Sequence, residues 1–268
     1  TEIDFDHTEH LGSTLSEIAI EKACIMKPDV PCLAYSQDDQ IMSVLGNHAI
    51  EVSAPFFELS NLCTVKRMKC TESSSVFDVD FNRADYTNLK IPLVGRFQIN
   101  NAALAVAATQ ILSDSFELER HAIYEGLRNV SWPGRLQKLQ ENPTIVVDVA
   151  HNLGAISHLF ATLSRIYEYH HLIVVVGLLK DKNYAEIAKV VVSKADMIFT
   201  VTPASDRALD AHIFASELPQ YSSSQVIDCS TQHDAFLQAI SNAEANDLIC
   251  ITGSHYVVAD FMKFFKKA

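Results

Sequence analysis

The stretch Thr144–Ser157 limits the possible folds of this chain more than any other segment. It opens with four β-branched residues, and this apolar run ends near the charged Asp148. His151 and Asn152 follow, and apolar residues then recur at the spacing of one helix face. An apolar run, a polar turn and an amphipathic helix predict a buried parallel strand that leads into a helix.

The same alternation of strand and helix patterns continues to the end of the chain. It predicts a doubly wound, Rossmann-like α/β domain, because strands joined by helices form a parallel sheet. The best boundary for this domain is Trp132-Pro133-Gly134, since Pro and Gly interrupt regular structure. We therefore predict two domains, residues 1–132 and 133–268. In the second domain, strands are predicted at 144–149, 172–178, 197–201, 225–228 and 248–252, and helices at 155–167, 184–193, 210–218, 233–242 and 256–267.

The first domain combines helices with short strands. Thr14 and Glu17 have the spacing of a capping box, which predicts a helix that begins after Thr14 and ends before Pro28. Asn101 is predicted to open an alanine-rich helix, and residues 61–94 alternate like small antiparallel strands in a hairpin or meander. Further short strands are predicted at 31–35 and 49–52, with a helix near 40–45 between them.

Composition excludes several functions. The chain is 48% hydrophobic and 20% charged, so it can bury a core. Its net charge of −12 argues against non-specific binding of nucleic acid, which needs clustered Lys and Arg. The six cysteines form no CxxC pair, which favours free thiols in a cytoplasmic protein over a metal cluster. No apolar run reaches the roughly 18 residues of a membrane span, so no membrane partner is expected.

Polar residues gather where the predicted parallel strands end, and open α/β sheets bind ligands at that edge. Asp148 and His151 follow one strand, and Ser254 follows the last strand at the start of a helix. Helix N-termini favour anions, so Ser254 could hold a phosphate or a carboxylate. Arg135 could stack on a base or pair with phosphate through its planar fork. The alternatives are capping residues in ordinary loops and, for Arg135, a surface side chain.

Two residues of the first domain are further candidates. His7 lies at a predicted strand end, where its imidazole could bind a metal, and the alternative is a surface loop residue. Lys22 lies on the first predicted helix, and its alternative is a solvated lysine. The sequence contains no GxGxxG, GxxxxGK[ST] or GxSxG motif, which argues against an ordinary dinucleotide site, a Walker loop in this chain and a hydrolase.

Taken in order, several short motifs resemble the Mur ligase superfamily, and within it the folylpolyglutamate synthase/dihydrofolate synthase family. GLLKDKN resembles the GxxxDKD loop of the folate enzymes, whereas the peptidoglycan ligases usually carry a GGDRD-type loop there. The matching pieces run through nearly the whole chain: DHTEHLG at 6–12, EKACI at 21–25, NAALA at 101–105, PGRLQ at 133–137, DVAHN at 148–152, GLLKDKN at 177–183 and TGSHY at 252–256.

The resemblance implies an ATP-dependent ligase that adds L-glutamate to the carboxylate of a folate or a dihydropteroate. In this family ATP converts the carboxylate to an acyl phosphate, and the amine of glutamate attacks it to give an amide, ADP and phosphate. Residues 1–132 would be the last part of a central ATP-binding domain with small antiparallel strands, and 133–268 the Mur ligase C-terminal domain. The family is usually monomeric.

The resemblance also implies roles for single residues. His7 matches a Mg²⁺ ligand, and Lys22 matches the lysine that is carbamylated in this family. Carbamylation would supply negative charge where Mg²⁺ ions meet phosphate. The predicted catalytic residues are Lys22 and His151, and the predicted ATP-binding residues are Asn101, Arg135, Asp148 and Ser254. In this scheme Asp148 accepts from the ribose hydroxyls, and His151 and Ser254 lie near the incoming glutamate and the nucleotide.

One family motif does not occur in this sequence. The family's phosphate-binding loop, with the consensus GTNGKGS, comes before the DH motif, and nothing before Thr1 could hold it here. The chain by itself is therefore expected to be an inactive C-terminal portion, with residues 1–30 poorly packed for lack of neighbouring strands. Two alternatives stay open, which are a non-catalytic nucleotide-binding remnant and a peptidoglycan amino-acid ligase.

Overall fold

A computed structural model describes residues 3–5, 11–81, 84–113, 116, 118–218, 224–229 and 231–266. The chain divides into two compact units, Thr1–Ser131 and Trp132–Ala268. The predicted boundary at residue 132 lies beside this division, and the assignment of 1–132 to a central ATP-binding domain stays a prediction. Within the described residues, no helix is both long enough and apolar enough to cross a lipid bilayer.

The first unit contains a parallel strand pair, an antiparallel sheet and five helices among its described residues. Strands β1 and β2 pair in parallel, and β3, β4 and β5 form an antiparallel meander in that order, as the sequence predicts for 61–94. The elements are α1 (Leu15–Ala23), β1 (Cys32–Ala34), α2 (Asp39–Glu51), β2 (Phe56–Glu58), α3 (Leu59–Leu62), β3 (Cys63–Cys70), β4 (Ser75–Phe81), β5 (Ala84–Ile91), α4 (Arg96–Ile111) and α5 (Arg120–Arg128).

The predicted capping box is present at the start of α1. The Thr14 hydroxyl accepts from the backbone N–H of Glu17, and the Glu17 carboxylate accepts from the backbone N–H of Thr14. Both contacts satisfy N–H groups that a helix start leaves unpaired. The expectation of poor packing in residues 1–30 is wrong for this helix, because Ile18 and Ala19 are fully buried against α2.

Two predicted element positions are wrong. Residues 49–52 do not form a strand, because Glu51 ends helix α2 and the strand follows at Phe56–Glu58. The apolar residues of α2 recur every four positions toward its end, which is the spacing of one helix face. This spacing outweighs the preference of the β-branched residues at the end of α2 for a strand. The alanine-rich helix does not open at Asn101, because α4 already begins at Arg96 after Gly95.

The second unit is a mixed α/β domain built on one six-stranded sheet, which confirms the predicted fold class. Its strand order is β10-β9-β8-β11-β7-β6, and all neighbours are parallel except the edge strand β6, which runs antiparallel to β7. The elements are β6 (Gln137–Gln140), β7 (Thr144–Val147), α6 (Leu153–Ile166), β8 (Leu172–Val176), α7 (Tyr184–Val192), β9 (Met197–Thr200), α8 (Ala211–Glu217), β10 (Gln225–Asp228), α9 (Gln232–Asn242), β11 (Leu248–Thr252) and α10 (His255–Phe265).

The central strands of this sheet are buried on both faces. Every residue of β8 and β11 is buried, which explains why these strands read as continuous apolar runs rather than as alternating ones. Helices α9 and α10 pack one face through Phe236 and Phe261. Residues of α6 and α7, such as Phe160 and Val191, are also buried, and these two helices contact each other. Because β11 runs parallel to both of its neighbours, β7 and β8, the carboxyl ends of these three strands meet at one edge of the sheet.

Candidate functional site

Asp148 follows β7 and is the most constrained polar residue at this edge. Its side chain is only 4% exposed. One carboxylate oxygen accepts from the N–H of Ala150 at 2.7 Å, and the other accepts from the N–H of Leu136 at 2.7 Å. Leu136 has a φ of 44°, a backbone conformation that non-glycine residues adopt only rarely. Asp148 thus holds the strained turn at Leu136, which lies 12 residues earlier in the chain, in place.

The turn that Asp148 holds in place also contains Arg135. Gly134, with a φ of 75°, donates its N–H to the Gln137 side chain at 3.0 Å and accepts from the N–H of Val149 at 2.8 Å. Arg135 is therefore held between two fixed residues while its own side chain is partly exposed. Within the described part of the chain, no carboxylate lies within ion-pair distance of the Arg135 guanidinium, so this cation is available for an anionic ligand.

The charge state of Asp148 depends on two opposing effects. Burial raises the pKa of Asp148 to about 6, although two backbone N–H groups and the charges of Arg135 and His151 act to lower it. In the unfolded chain an aspartate titrates at about 3.9. Because the folded value is higher, protonation favours the folded state. That contribution is fully present below about pH 4 and is lost as the pH rises through about 6, and it amounts to about 3 kcal/mol.

We expect the carboxyl carbon of Asp148 to titrate with a midpoint of about 6 when its NMR chemical shift is followed from acid to neutral pH. Over the same range the stability of the second unit should fall with rising pH by the contribution of this group. A midpoint below that of an ordinary aspartate would show that the two N–H groups outweigh burial, and would contradict this expectation.

The turn after β11 contacts the turn after β7. Gly253 donates its N–H to the carbonyl of Ala150 at 3.0 Å, and the Thr252 hydroxyl donates to the same carbonyl at 3.3 Å. Ser254 is the N-cap of α10, where its hydroxyl accepts from the N–H of Val257 at 3.2 Å. The capping alternative is therefore present for Ser254, and a contact between Ser254 and a nucleotide stays a prediction.

His151 has a defined tautomer at this edge. Its Nδ1 lies 2.8 Å from the carbonyl oxygen of Val149. Because a carbonyl can only accept, Nδ1 carries the hydrogen and Nε2 keeps its lone pair in the neutral ring. The His151 ring lies 5.5 Å from the ring of His255, the first residue of α10. Asn152, the next residue, caps α6 by accepting from the N–H of Ala155 at 2.8 Å.

The structure thus brings Arg135, Asp148, His151 and Ser254 to one edge of the second unit. The sequence reasoning did not single out His255, whose contact with His151 joins residues far apart in the chain. It also did not foresee that Asp148 binds the backbone of Leu136. The TGSHY motif could have drawn attention to His255, whereas nothing local signals the bond to Leu136.

The predicted site residues of the first unit are placed less fully. His7 lies outside the described residues. Lys22 lies in the last turn of α1 and is exposed. Asn101 lies in the second turn of α4, is exposed and donates to the side chain of Gln98 at 3.3 Å. Among the described residues, no group of three His, Cys, Asp or Glu side chains could hold a metal ion. The roles of these three residues stay predictions.

Residues 134–255 match the family model of the Mur ligase glutamate ligase domain. This match spans every residue of the edge described above. At the level of particular proteins, the chain is 30% identical to the dihydrofolate synthase/folylpolyglutamate synthase of Bacillus subtilis, over 99% of this chain and 62% of that protein. It is 27% identical to the folylpolyglutamate synthase of Lacticaseibacillus casei, over 97% of this chain and 59% of that protein.

Solved structures give the same result. The chain is similar to E. coli FolC in complex with DHPP and ADP, with 25% identity and a TM-score of 0.86 over 99% of this chain and 60% of that one. It is similar to Mycobacterium tuberculosis folylpolyglutamate synthase complexed with ADP and AMPPCP, with 26% identity and a TM-score of 0.89 over 98% of this chain and 62% of that one. These matches confirm the predicted resemblance. The chain spans about 60% of the length of these relatives.

Proposed function

We propose that this chain forms part of an ATP-dependent ligase that joins L-glutamate to the carboxylate of a folate or a dihydropteroate. The observation that carries the proposal is the similarity to dihydrofolate synthase/folylpolyglutamate synthase over 99% of the chain. The geometry of the site supports the proposal, because the turn that contains Arg135 is held at the edge where α/β sheets bind ligands. No carboxylate of the described residues lies within ion-pair distance of the Arg135 guanidinium.

In this proposal ATP phosphorylates the substrate carboxylate, and ADP leaves. The glutamate amine then attacks the acyl carbon, the amide bond forms, and phosphate leaves with the electron pair of its bond to carbon. The attacking nitrogen loses a proton in this step. His151 is suited to accept it, because its Nδ1 hydrogen is held by the carbonyl of Val149 and its Nε2 keeps a lone pair.

Two residues of the second unit support the proposed binding of the nucleotide. Arg135 fits a phosphate or a base through its fork, and Asp148 keeps the turn of Arg135 in place. Asn101 is exposed on α4 and offers an amide. We propose that a divalent cation accompanies ATP, with His7 as one ligand and carbamylated Lys22 supplying negative charge. A structure of a related bifunctional enzyme contains Mn, AMPPNP and L-glutamate. Monomeric state and cytoplasmic location stay predictions.

The test is a ligase assay on the protein expressed from its complete gene. We expect ADP release that requires L-glutamate together with dihydropteroate or a reduced folate, and a product heavier by one glutamyl residue in mass spectrometry. Turnover with a UDP-linked muramyl peptide instead would favour the peptidoglycan alternative. Nucleotide binding without any product would favour the non-catalytic remnant.

Arg135→Ala is expected to weaken ATP binding about 10- to 100-fold, because a hydrogen bond to a charged group contributes about 1.5–3 kcal/mol. Stability should hardly change, since the Arg135 side chain is partly exposed. The sole tryptophan, Trp132, lies three residues before Arg135, so its fluorescence can report binding. The control is Arg165→Ala, which removes an exposed arginine in the last turn of α6. Equal affinities in the two variants would remove Arg135 from the nucleotide site.

A further inference from the structure

A cavity of about 330 Å³ opens in the second unit beside helices α9 and α10. Its walls come from the loop after β9, the first two turns of α9 and the second half of α10. Ligand pockets in proteins usually measure roughly 300–1,000 Å³. The described residues that line it include none of the four that meet at the candidate site, so the cavity is a separate feature of this unit.

Aromatic rings form one wall of the cavity. The rings of Phe236 and Phe264 lie 5.6 Å apart, and the ring of His233 stands edge-on to Phe264 with 5.1 Å between the centroids. Phe236 is buried, whereas Phe264 is only partly buried and offers surface to a ligand. Such a wall favours a flat ring, and the faces of Phe rings also attract cations.

Gln232 supplies a buried acceptor that lacks a donor. Its Nε2 donates to the carbonyl of Thr202 at 3.1 Å, and because a carbonyl only accepts, this contact distinguishes the two ends of the amide. Oε1 is buried and has no hydrogen-bond partner among the described residues. Gln232 as a whole is partly exposed, so a small rotation of its side chain lets a ligand N–H reach Oε1. A ligand that supplies the missing donor is therefore favoured.

Asp260 adds a negative charge at the same cavity. Its carboxylate lies 2.9 Å from Nζ of Lys263, one turn further along α10, and the Lys263 side chain is 73% exposed. An ion pair of this kind at the surface is weak, so the carboxylate can exchange the lysine for a ligand cation. A ligand that fits the cavity must therefore be flat, donate hydrogen bonds and carry positive charge.

We propose that this cavity binds a small aromatic cation with N–H donors, of the amidinium or protonated amino-heterocycle class. Its N–H groups donate to Oε1 of Gln232 and to the carboxylate of Asp260, and its ring packs on Phe236 and Phe264. This binding does not rest on the proposed ligase function, because the residues that hold the cation differ from those assigned to ATP and glutamate.

The experiment measures binding of benzamidine to the complete protein by NMR, with the backbone amide signals of Gln232 and His233 as reporters. Benzamide has nearly the same shape without the charge, and benzoate can only accept hydrogen bonds. We expect saturable shifts with benzamidine, an affinity about tenfold weaker for benzamide, and no binding of benzoate at this cavity. Benzoate bound as tightly as benzamidine, or no saturable shift with benzamidine at these residues, would overturn the proposal.

Substitutions of the polar residues test the same contacts. Asp260→Asn and Gln232→Met should each weaken benzamidine binding about fivefold. Lys263→Met removes the competing cation from an exposed position and should strengthen binding about threefold, which keeps the proposal testable if Gln232→Met fails to fold. Glu186→Gln is the matched control, because Glu186 pairs with Lys189 at the same spacing on α7, outside the cavity. Equal affinities in Asp260→Asn and Glu186→Gln, or no gain in Lys263→Met, would contradict the proposal.

Discussion

Asp148→Ala is expected to lower the free energy of unfolding by about 2–4 kcal/mol and to weaken nucleotide binding about 100-fold. The substitution leaves the buried N–H groups of Leu136 and Ala150 without their acceptor, and each such group costs about 1–3 kcal/mol. Removing a carboxylate that burial disfavours offsets part of this loss. Without its anchor, the turn of Leu136 no longer holds Arg135 in place. Chemical denaturation and the fluorescence of Trp132 measure the two effects.

Asp247→Ala is a closely matched control for this prediction. Asp247 is also 4% exposed, and its carboxylate likewise accepts from two backbone N–H groups, those of His171 and Glu244. It lies just before β11, at the opposite end of the sheet from Asp148. We expect a similar loss of stability and normal nucleotide affinity once the protein is folded. Equal effects on nucleotide binding in both variants would show that Asp148 acts only through stability.

Gly253→Ala is expected to destabilise the second unit by about 3–5 kcal/mol, enough to unfold much of it. Gly253 has a φ of 99°, which strains any residue with a side chain. A Cβ at this position would lie 2.6 Å from the carbonyl oxygen of Gly177, and backbone atoms cannot move aside cheaply. The thermal unfolding midpoint measured by circular dichroism should fall steeply.

Gly46→Ala tests the same substitution where neither constraint applies. Gly46 lies inside α2, and a Cβ there would meet nothing within 4 Å. Alanine should raise the free energy of unfolding by about 0.5–1 kcal/mol, because glycine is the weaker helix former. If Gly253→Ala unfolded at the same temperature as the unchanged protein, the close contact with Gly177 would not be needed for folding.

The second unit could be predicted closely from local patterns. Its strands are short apolar runs and its helices have clear caps, such as Asn152 before α6 and Ser254 before α10. The first unit was harder, because β-branched residues near Ile50 suggested a strand although the spacing of Ile41, Leu45 and Ala49 belongs to a helix. Local preference for a strand is weak and depends on what the residue packs against.

The sequence predicts which residues belong to the candidate site, but it does not predict the contacts that they make. Asp148, His151 and Ser254 follow strands, and parallel strands bring their carboxyl ends together. The contact between Asp148 and Leu136 depends on the positive φ of Leu136. Leucine is not a residue type that indicates a positive φ in a sequence. The pairing of His151 with His255 depends on β11 lying next to β7, and strand order is set by the whole fold.

The position of β11 has a consequence for synthesis of the protein. Strand β11 comes last among the described strands, yet it lies between β7 and β8 in the sheet. Without β11, strands β7 and β8 would not be connected to each other. The middle of the sheet therefore cannot form during synthesis until residues 248–252 have left the ribosome. Most of the domain has already been made by then. A premature stop codon just before this segment would leave two apolar strand edges open at the middle of the sheet. Such edges pair readily with other chains, so the truncated product is expected to aggregate rather than to be a slightly smaller protein.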